Sequence, residues 1–124
     1  MLSSIRELYP ETTVLSALGN NDLIYHNQAP NEEQKVWYYE QLQEVFFPKP
    51  LNRTQIDSFN NGGYYLYELN DFSVLALNSN YFTQENLNDK SEALRQLDFI
   101  NQSLQNSQKK IIIFMHVPFG INYF

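Results

Sequence analysis

The sequence contains no cysteine, which excludes disulfide bonds and thiolate metal sites. It has no apolar run of about 18 residues, so it predicts no transmembrane helix. Basic residues are few: eight Lys and Arg stand against fourteen Asp and Glu. The resulting net charge of −6 argues against binding to a nucleic-acid backbone. Residues 1–8 carry charges where a signal peptide needs its apolar segment, so we expect no signal peptide there.

What the sequence does have is a large apolar and aromatic fraction. Of its 124 residues, 43% are hydrophobic, and nine are Tyr and nine are Phe. A chain of this length can bury roughly two-thirds of the surface that its unfolded form exposes. The composition is therefore that of a globular domain, or of part of a larger one, and not that of a disordered segment.

Hydrophobic periodicity and turn residues predict an alternation of strands and helices. In order, we expect the end of a helix at residues 4–8, a strand at residues 12–15, a helix from the N-cap Asn31 to about Phe47, a short helix at residues 54–59 capped by Thr54, a hairpin of strands at residues 64–69 and 72–78, a helix from Ser91, and a strand at residues 109–115. This order predicts a mixed sheet flanked by helices. The fold class is therefore α/β, with α+β as the alternative.

The last predicted helix carries apolar residues at spacings of three and four. They are Leu94, Leu97, Ile100 and Leu104. This spacing places side chains on one side of a helix, so we expect a buried stripe.

Polar side chains follow the first and the last predicted strands. Asn20, Asn21 and Asp22 come after Gly19, and His116 directly follows the final strand. Because open α/β sheets place ligands at strand ends, we expect the two edges to face one metal-bearing cleft. An Asn oxygen is a hard, neutral ligand, and imidazole suits Zn, Fe, Mn or Ni. Two ligands are nevertheless too few for a catalytic zinc, so a turn and a structural His remain open alternatives.

Five stretches together resemble one enzyme family. Gly-Asn-Asn-Asp at residues 19–22 resembles the Gly-Asn-His-Asp/Glu signature of calcineurin-like metallophosphoesterases. The likeness is greatest to the acid sphingomyelinase-like phosphodiesterase branch, and endopolyphosphatases share several of the same stretches. The other four are Trp-Tyr-Tyr at residues 37–39, Gly-Gly-Tyr-Tyr at 62–65, Leu-Ala-Leu-Asn-Ser-Asn-Tyr at 75–81 and Met-His-Val-Pro-Phe-Gly at 115–120. The similarity extends over residues 12–120.

The resemblance implies part of a four-layer αββα sandwich and a phosphodiesterase with two divalent metal ions, zinc being the expected metal. By family role, Asn20 and His116 would bind the same ion, Asp22 would orient its neighbour by hydrogen bonding, and Asn21 would contact the reacting phosphate. The implied substrate is a phosphodiester such as the lipid sphingomyelin. The implied location is secreted, lysosomal or vacuolar.

The sequence also departs from the family. Asn21 stands where the signature has His, and an amide can donate a hydrogen bond but cannot act as a general acid. Met115 replaces a Gly. The family's Asp-x-His, Gly-Asp and Gly-His-x-His segments are not among these 124 residues. We therefore expect residues 1–124 to be the central part of a phosphoesterase domain, truncated at both ends and unable to hold two ions alone.

Two alternatives to the phosphodiesterase function stay open. One is an endopolyphosphatase-like phosphohydrolase, and the other is an inactive remnant or interaction module. The aromatic side chains can line a lipid-facing groove or fill a sheet face, and packing is the expectation we prefer. They are Tyr64, Tyr65, Tyr67, Tyr81 and Phe82.

Overall fold

The computed structural model describes residues 5, 7–47, 49, 51–86, 90–118 and 120. Its elements are a 3₁₀ turn at Asn20–Asp22, α1 at Glu32–Phe46, α2 at Arg53–Gly62, β1 at Tyr65–Glu68, β2 at Phe72–Ala76, a 3₁₀ turn at Ser79–Phe82, α3 at Lys90–Asn106 and β3 at Lys110–Phe114. Ile5, Glu7 and Leu8 are helical, and the rest of the predicted first helix lies outside the described residues. None of the helices in the described part of the chain is long and apolar enough to cross a membrane.

Asparagine side chains begin the first two long helices. The Oδ1 atom of Asn31 accepts a hydrogen bond from Gln34 N at 3.0 Å, and Asn52 Oδ1 accepts one from Gln55 N at 2.9 Å. In each case the Gln side chain returns a bond to the Asn amide, which completes a capping box. The predicted cap at Asn31 is confirmed. The prediction for α2 was wrong, because the cap is Asn52 and not Thr54.

The sheet is mixed, as the sequence predicts. The hairpin pairs β1 and β2 antiparallel, with Tyr65 opposite Ala76. On its other side β2 pairs with β3 in parallel, and Ala76 lies beside Phe114. The strand order is β1-β2-β3. Strands and helices therefore combine in the mixed α/β arrangement that we expected, which fits part of a metallophosphoesterase sandwich.

An aromatic core covers one face of this sheet. Phe47 contacts Phe59 and Tyr65 edge-on, with ring centroids 5.1 Å apart in both pairs, and Tyr39 contacts Phe59 at 5.9 Å. Tyr39, Phe59 and Tyr65 are fully buried, and Leu18 and Ala76 complete the cluster. Edge-on pairs stabilise a core beyond the apolar area that they bury.

The packing alternative is confirmed for three of the five aromatic residues. Tyr64, Tyr65 and Tyr81 are buried. The Tyr81 hydroxyl lies 2.8 Å from the hydroxyl of Tyr39, inside the protein. Tyr67 and Phe82 are half-buried.

The expected apolar stripe of α3 was wrong. Leu94 is 65% exposed, and Leu97 and Leu104 are 48% exposed. The helix instead buries Glu92 and Gln96. Gln96 Oε1 accepts from Asn78 N at 2.9 Å and its Nε2 donates to Asn78 O at 3.0 Å. Because the interior offers partners to these polar groups, they can be buried at little cost, and the helix turns its leucines outward.

The predicted strand at residues 12–15 was also wrong. The segment is not paired with any described strand. It is held instead through a side chain: the Tyr65 hydroxyl donates to Ser16 O at 2.9 Å and accepts from Ser16 N at 3.0 Å. This hydroxyl and the packing of Leu15 against the core hold the segment beside the sheet.

Candidate metal site

Two parallel strands end together and place their following loops side by side. Leu77 N donates to Phe114 O at 3.0 Å, which extends the register by one residue beyond β2. One turn further, Val117 N donates to the buried Ser79 Oγ at 2.9 Å. The residues after β3 are therefore fixed against the residues after β2. His116 lies in this fixed loop, at the carboxyl edge of the sheet, where such folds place ligands.

The Gly-Asn-Asn-Asp segment forms a closed turn beside the same edge. Asp22 Oδ2 accepts a hydrogen bond from Gly19 N at 2.8 Å, and Asp22 N donates back to Gly19 O at 3.2 Å. The Asp22 carboxylate thus closes the turn that carries Asn20.

The structure brings Asn20 and His116 together. Asn20 Oδ1 and His116 Nε2 are 3.0 Å apart, although the two residues are separated by 96 positions in the sequence. Gly19 lies close to both side chains of the site. A Cβ built on it would lie 3.4 Å from two atoms of the His116 ring, an ordinary contact, and 3.2 Å from Asp22 Oδ2, which is tighter. A side chain at position 19 would therefore crowd Asp22 more than His116.

The amide nitrogen of Asn20 has partners on its other side. Its Nδ2 atom lies 3.0 Å from His26 Nε2 and donates to Asn27 Oδ1 at 3.0 Å. Asn27 has a positive φ of 62°, a conformation that Asn adopts more readily than most residues. Asn20 is therefore bonded at both ends of its amide.

Asn21 and Asp22 are exposed beside this contact. Burial raises the pKa of the Tyr38 hydroxyl above its usual value, and the negative charge of Asp22 raises it further. Tyr38 thus keeps its proton at neutral pH next to the turn. Neither Asn21 nor Tyr38 supplies a group that titrates near neutrality.

The Asn20–His116 pair fits two positions around a metal ion. Two ligand atoms that bind one ion at about 2.0–2.1 Å lie roughly 2.9–3.4 Å from each other when they subtend a right or tetrahedral angle. The observed 3.0 Å falls in that range. Within the described ranges, no three His, Cys, Asp or Glu side chains gather as a metal site. The described residues therefore fit part of a coordination sphere and not a whole one.

Known proteins resemble this chain over nearly its whole length. Human cyclic GMP-AMP phosphodiesterase SMPDL3A is 29% identical over 128 residues, which is 97% of this chain. Human acid sphingomyelinase-like phosphodiesterase 3b is 32% identical over 125 residues, or 94% of the chain. The curated relatives are acid sphingomyelinase-like phosphodiesterases. The rat cyclic GMP-AMP phosphodiesterase SMPDL3A is 27% identical over 128 residues.

The chain spans only 27–28% of the length of these phosphodiesterases. No protein-family model matches it. The resemblance read from the five sequence stretches is confirmed at the level of the acid sphingomyelinase-like relatives.

Three residues near the site were not assigned a role from the sequence. Asn27 and Ser79 were not singled out as site residues, and His26 was expected to be solvated. From the sequence, His26 is a conceivable substitute for the missing acid or a substrate contact, with a solvated loop His as the preferred interpretation. In the structure His26 is exposed, but its ring faces Asn20. One feature of the sequence could have pointed to His26 and Asn27. Residues 25–28 combine a His with an Asn, a residue that tolerates a positive φ, a few positions after the signature. Nothing in the sequence marks Ser79 as the acceptor for Val117 N.

Proposed function

We propose that this chain contributes two metal ligands, Asn20 and His116, to the active site of a phosphodiesterase. The observation that carries the proposal is the 3.0 Å approach of Asn20 Oδ1 and His116 Nε2. These two residues occupy the signature positions to which the resemblance assigns metal binding. The names of the relatives support hydrolysis of a phosphodiester.

The metal would polarise the phosphoryl group and activate water, which is the chemistry that divalent ions supply in such hydrolases. Asn20 would offer a neutral oxygen and His116 an imidazole nitrogen. The remaining ligands would have to come from segments such as Asp-x-His, Gly-Asp and Gly-His-x-His. Zinc is the ion that the resemblance implies, and both kinds of ligand are compatible with it.

Asn21 would contact the phosphate in the place of a His. Its amide can donate a hydrogen bond to a phosphoryl oxygen and stabilise charge that develops there. It cannot protonate the leaving group, so that step would fall to another group. Asp22 would act indirectly, by holding the turn through Gly19 N.

The proposed substrate class is a phosphodiester. The relatives are named for cyclic GMP-AMP and for likeness to acid sphingomyelinase, and these define the compounds to test. We also propose a secreted, lysosomal or vacuolar location, because the family resemblance implies it.

The test begins with the coding sequence on either side of residues 1–124. We expect an Asp-x-His segment upstream and a Gly-His-x-His segment downstream. The protein so encoded should hydrolyse bis-p-nitrophenyl phosphate and one of sphingomyelin or cyclic GMP-AMP. Asn20→Ala and His116→Ala should reduce the rate to background, whereas Asn61→Ala, an exposed Asn in α2, should leave it unchanged.

Asn21→Ala gives a finer test in the same protein. The loss of one hydrogen-bond donor to a developing charge costs about 10²–10³ in kcat. Preferred hydrolysis of polyphosphate would favour the endopolyphosphatase alternative. The proposal would be contradicted if the neighbouring coding sequence lacked the ligand segments and the encoded protein hydrolysed none of these phosphodiesters. That result would favour an interaction module.

A further inference from the structure

The amide of Asn20 lies between the only two His residues of the chain. Its oxygen is 3.0 Å from His116 Nε2, and its nitrogen is 3.0 Å from His26 Nε2. Asn27 Oδ1 accepts from the same nitrogen, also at 3.0 Å. An amide nitrogen has two protons to donate and an amide oxygen can only accept. Both protons are therefore used on the side of His26 and Asn27.

In this arrangement the amide oxygen is the end that faces His116. If the amide were turned over, its oxygen would face Asn27 Oδ1, and two acceptors would repel each other. His26 would also have to place a proton on Nε2. The reversed arrangement is satisfied only if Asn20, Asn27 and both imidazoles change together.

The segment that carries Asn27 is itself held in place. Gln28 N donates to Tyr25 O at 3.0 Å and closes the turn. Two residues after Asn27, Ala29 N donates to the buried Asn86 Oδ1 at 3.3 Å, from a distant part of the chain. The segment around Asn27 thus has a local and a long-range anchor, which keep its side chain near Asn20.

We propose that His26 and Asn27 are positioning residues that bind the amide nitrogen of Asn20 and thereby direct its oxygen toward His116 Nε2. The oxygen is the only end of the amide that can bind a metal. The chain therefore presents Asn20 Oδ1 and His116 Nε2 as a prepared pair of ligand atoms. The inference that this pair binds a metal rests on the proposed function. The inference that His26 and Asn27 orient the Asn20 amide does not.

The orientation predicts a definite proton position on each imidazole. An amide oxygen needs a donor, so His116 carries its proton on Nε2 in the metal-free chain. An amide N–H needs an acceptor, so His26 carries its proton on Nδ1 and leaves Nε2 bare. Long-range ¹H–¹⁵N spectra of the full chain at about pH 8 distinguish bare from protonated ring nitrogens. With two His residues the spectrum is simple, and His26→Ala assigns the signals of His116.

The reverse pattern, with Nε2–H on His26 and a bare Nε2 on His116, would overturn the proposal. Equal tautomer mixtures on both rings would overturn it as well, because no orientation would then be imposed.

Two substitutions at one position separate positioning from general loosening of the loop. Asn27→Gly tolerates the φ of 62° but removes the acceptor, and we expect the His116 signals to shift toward a tautomer mixture. Asn27→Asp keeps an acceptor and should retain the wild-type pattern. If both variants behave like the wild type, Asn27 does not position Asn20.

A titration with zinc alone separates this proposal from the proposed function. Loss of a residue that orients a metal ligand typically costs about 10–100-fold in metal affinity. We expect Asn27→Gly to weaken the response of the His116 signals to zinc by a factor in that range, with Asn61→Ala as the control. If the metal-free tautomers are as predicted but zinc never affects His116, the positioning stands and the metal role of the site fails.

Discussion

The backbone N–H of Val117 donates to the buried hydroxyl oxygen of Ser79 at 2.9 Å, and this bond joins the loops that follow two parallel strands. His116 is the residue immediately before the donor. The position of His116 therefore depends on the hydroxyl of Ser79, a residue that is 2% exposed and lies in the loop after β2.

Removal of that hydroxyl should loosen His116 before it unfolds the protein. Ser79→Ala leaves Val117 N without its partner, which costs about 1–3 kcal/mol in the free energy of unfolding. We expect the His116 ring signals to broaden or shift while the aromatic core signals stay in place. Ser58→Ala, a half-buried serine in α2, is the matched control. Unchanged His116 signals in Ser79→Ala would show that this bond does not hold the site.

Stability should depend on the aromatic core and little on the exposed aromatics of α1. Phe59 is fully buried, and Phe59→Ala should lower the free energy of unfolding by about 3–5 kcal/mol. Trp37 is 53% exposed, so Trp37→Ala should cost much less. Urea unfolding followed by circular dichroism measures both. Equal costs would mean that the core has been placed wrongly.

A buried ion pair should be costly to break. Glu92 is fully buried and accepts from Lys35 Nζ at 3.0 Å and from the Tyr64 hydroxyl at 2.8 Å. Glu92→Gln removes the charge that faces Lys35, and such losses cost about 3–5 kcal/mol. We expect the lower part of that range because Glu32 also pairs with Lys35, at 2.8 Å.

The exposed pair of Arg53 and Asp57 is the control for this substitution. Asp57→Asn should change the free energy of unfolding by less than about 1 kcal/mol. A similar loss in the two variants would contradict the assignment of Glu92 to the interior.

Stability should fall at alkaline pH. Burial raises the pKa of the hydroxyls of Tyr39, Tyr64 and Tyr65 above the usual value of about 10. The folded chain keeps these protons where the unfolded chain loses them. Their contribution is therefore complete below about pH 10 and is lost as the pH rises through the raised folded values, by up to about 1.4 kcal/mol per pH unit for each group.

Urea unfolding at pH 8 and pH 10.5, with tyrosinate absorbance recorded in parallel, checks this. We expect the hydroxyls of Tyr39, Tyr64 and Tyr65 to ionise only on unfolding. Ionisation of all nine tyrosines in the folded state would contradict the buried positions of these rings.

The sequence was informative where local chemistry decides the structure. The cap at Asn31, the hairpin between β1 and β2 and the existence of the last strand all follow from residue preference and periodicity, whereas the parallel pairing of β3 with β2 was not predicted. Asn20 and His116 were paired as ligands by family resemblance, and in the structure their side chains lie 3.0 Å apart.

The sequence was not informative where distant partners decide the structure. The periodicity of α3 indicates an amphipathic helix, but its direction depends on partners for Glu92 and Gln96 that lie in other elements. The segment at residues 12–15 has the composition of a strand, but Leu15 packs against the core and the Tyr65 hydroxyl bonds the next residue, Ser16. His26 could not be recognised because its contact with Asn20 depends on the turn at residues 25–28.

The central claim is that Asn20 and His116 bind one metal ion, and a zinc titration of the full chain tests it most directly. Ring ¹⁵N signals should show zinc replacing the proton on His116 Nε2 while His26 is unaffected, and Asn20→Ala should weaken that response. We expect the affinity to be too low for zinc to remain bound stoichiometrically after dialysis, because only two ligands are offered. Zinc binding at His26, or a response of His116 that is unchanged in Asn20→Ala, would contradict the account.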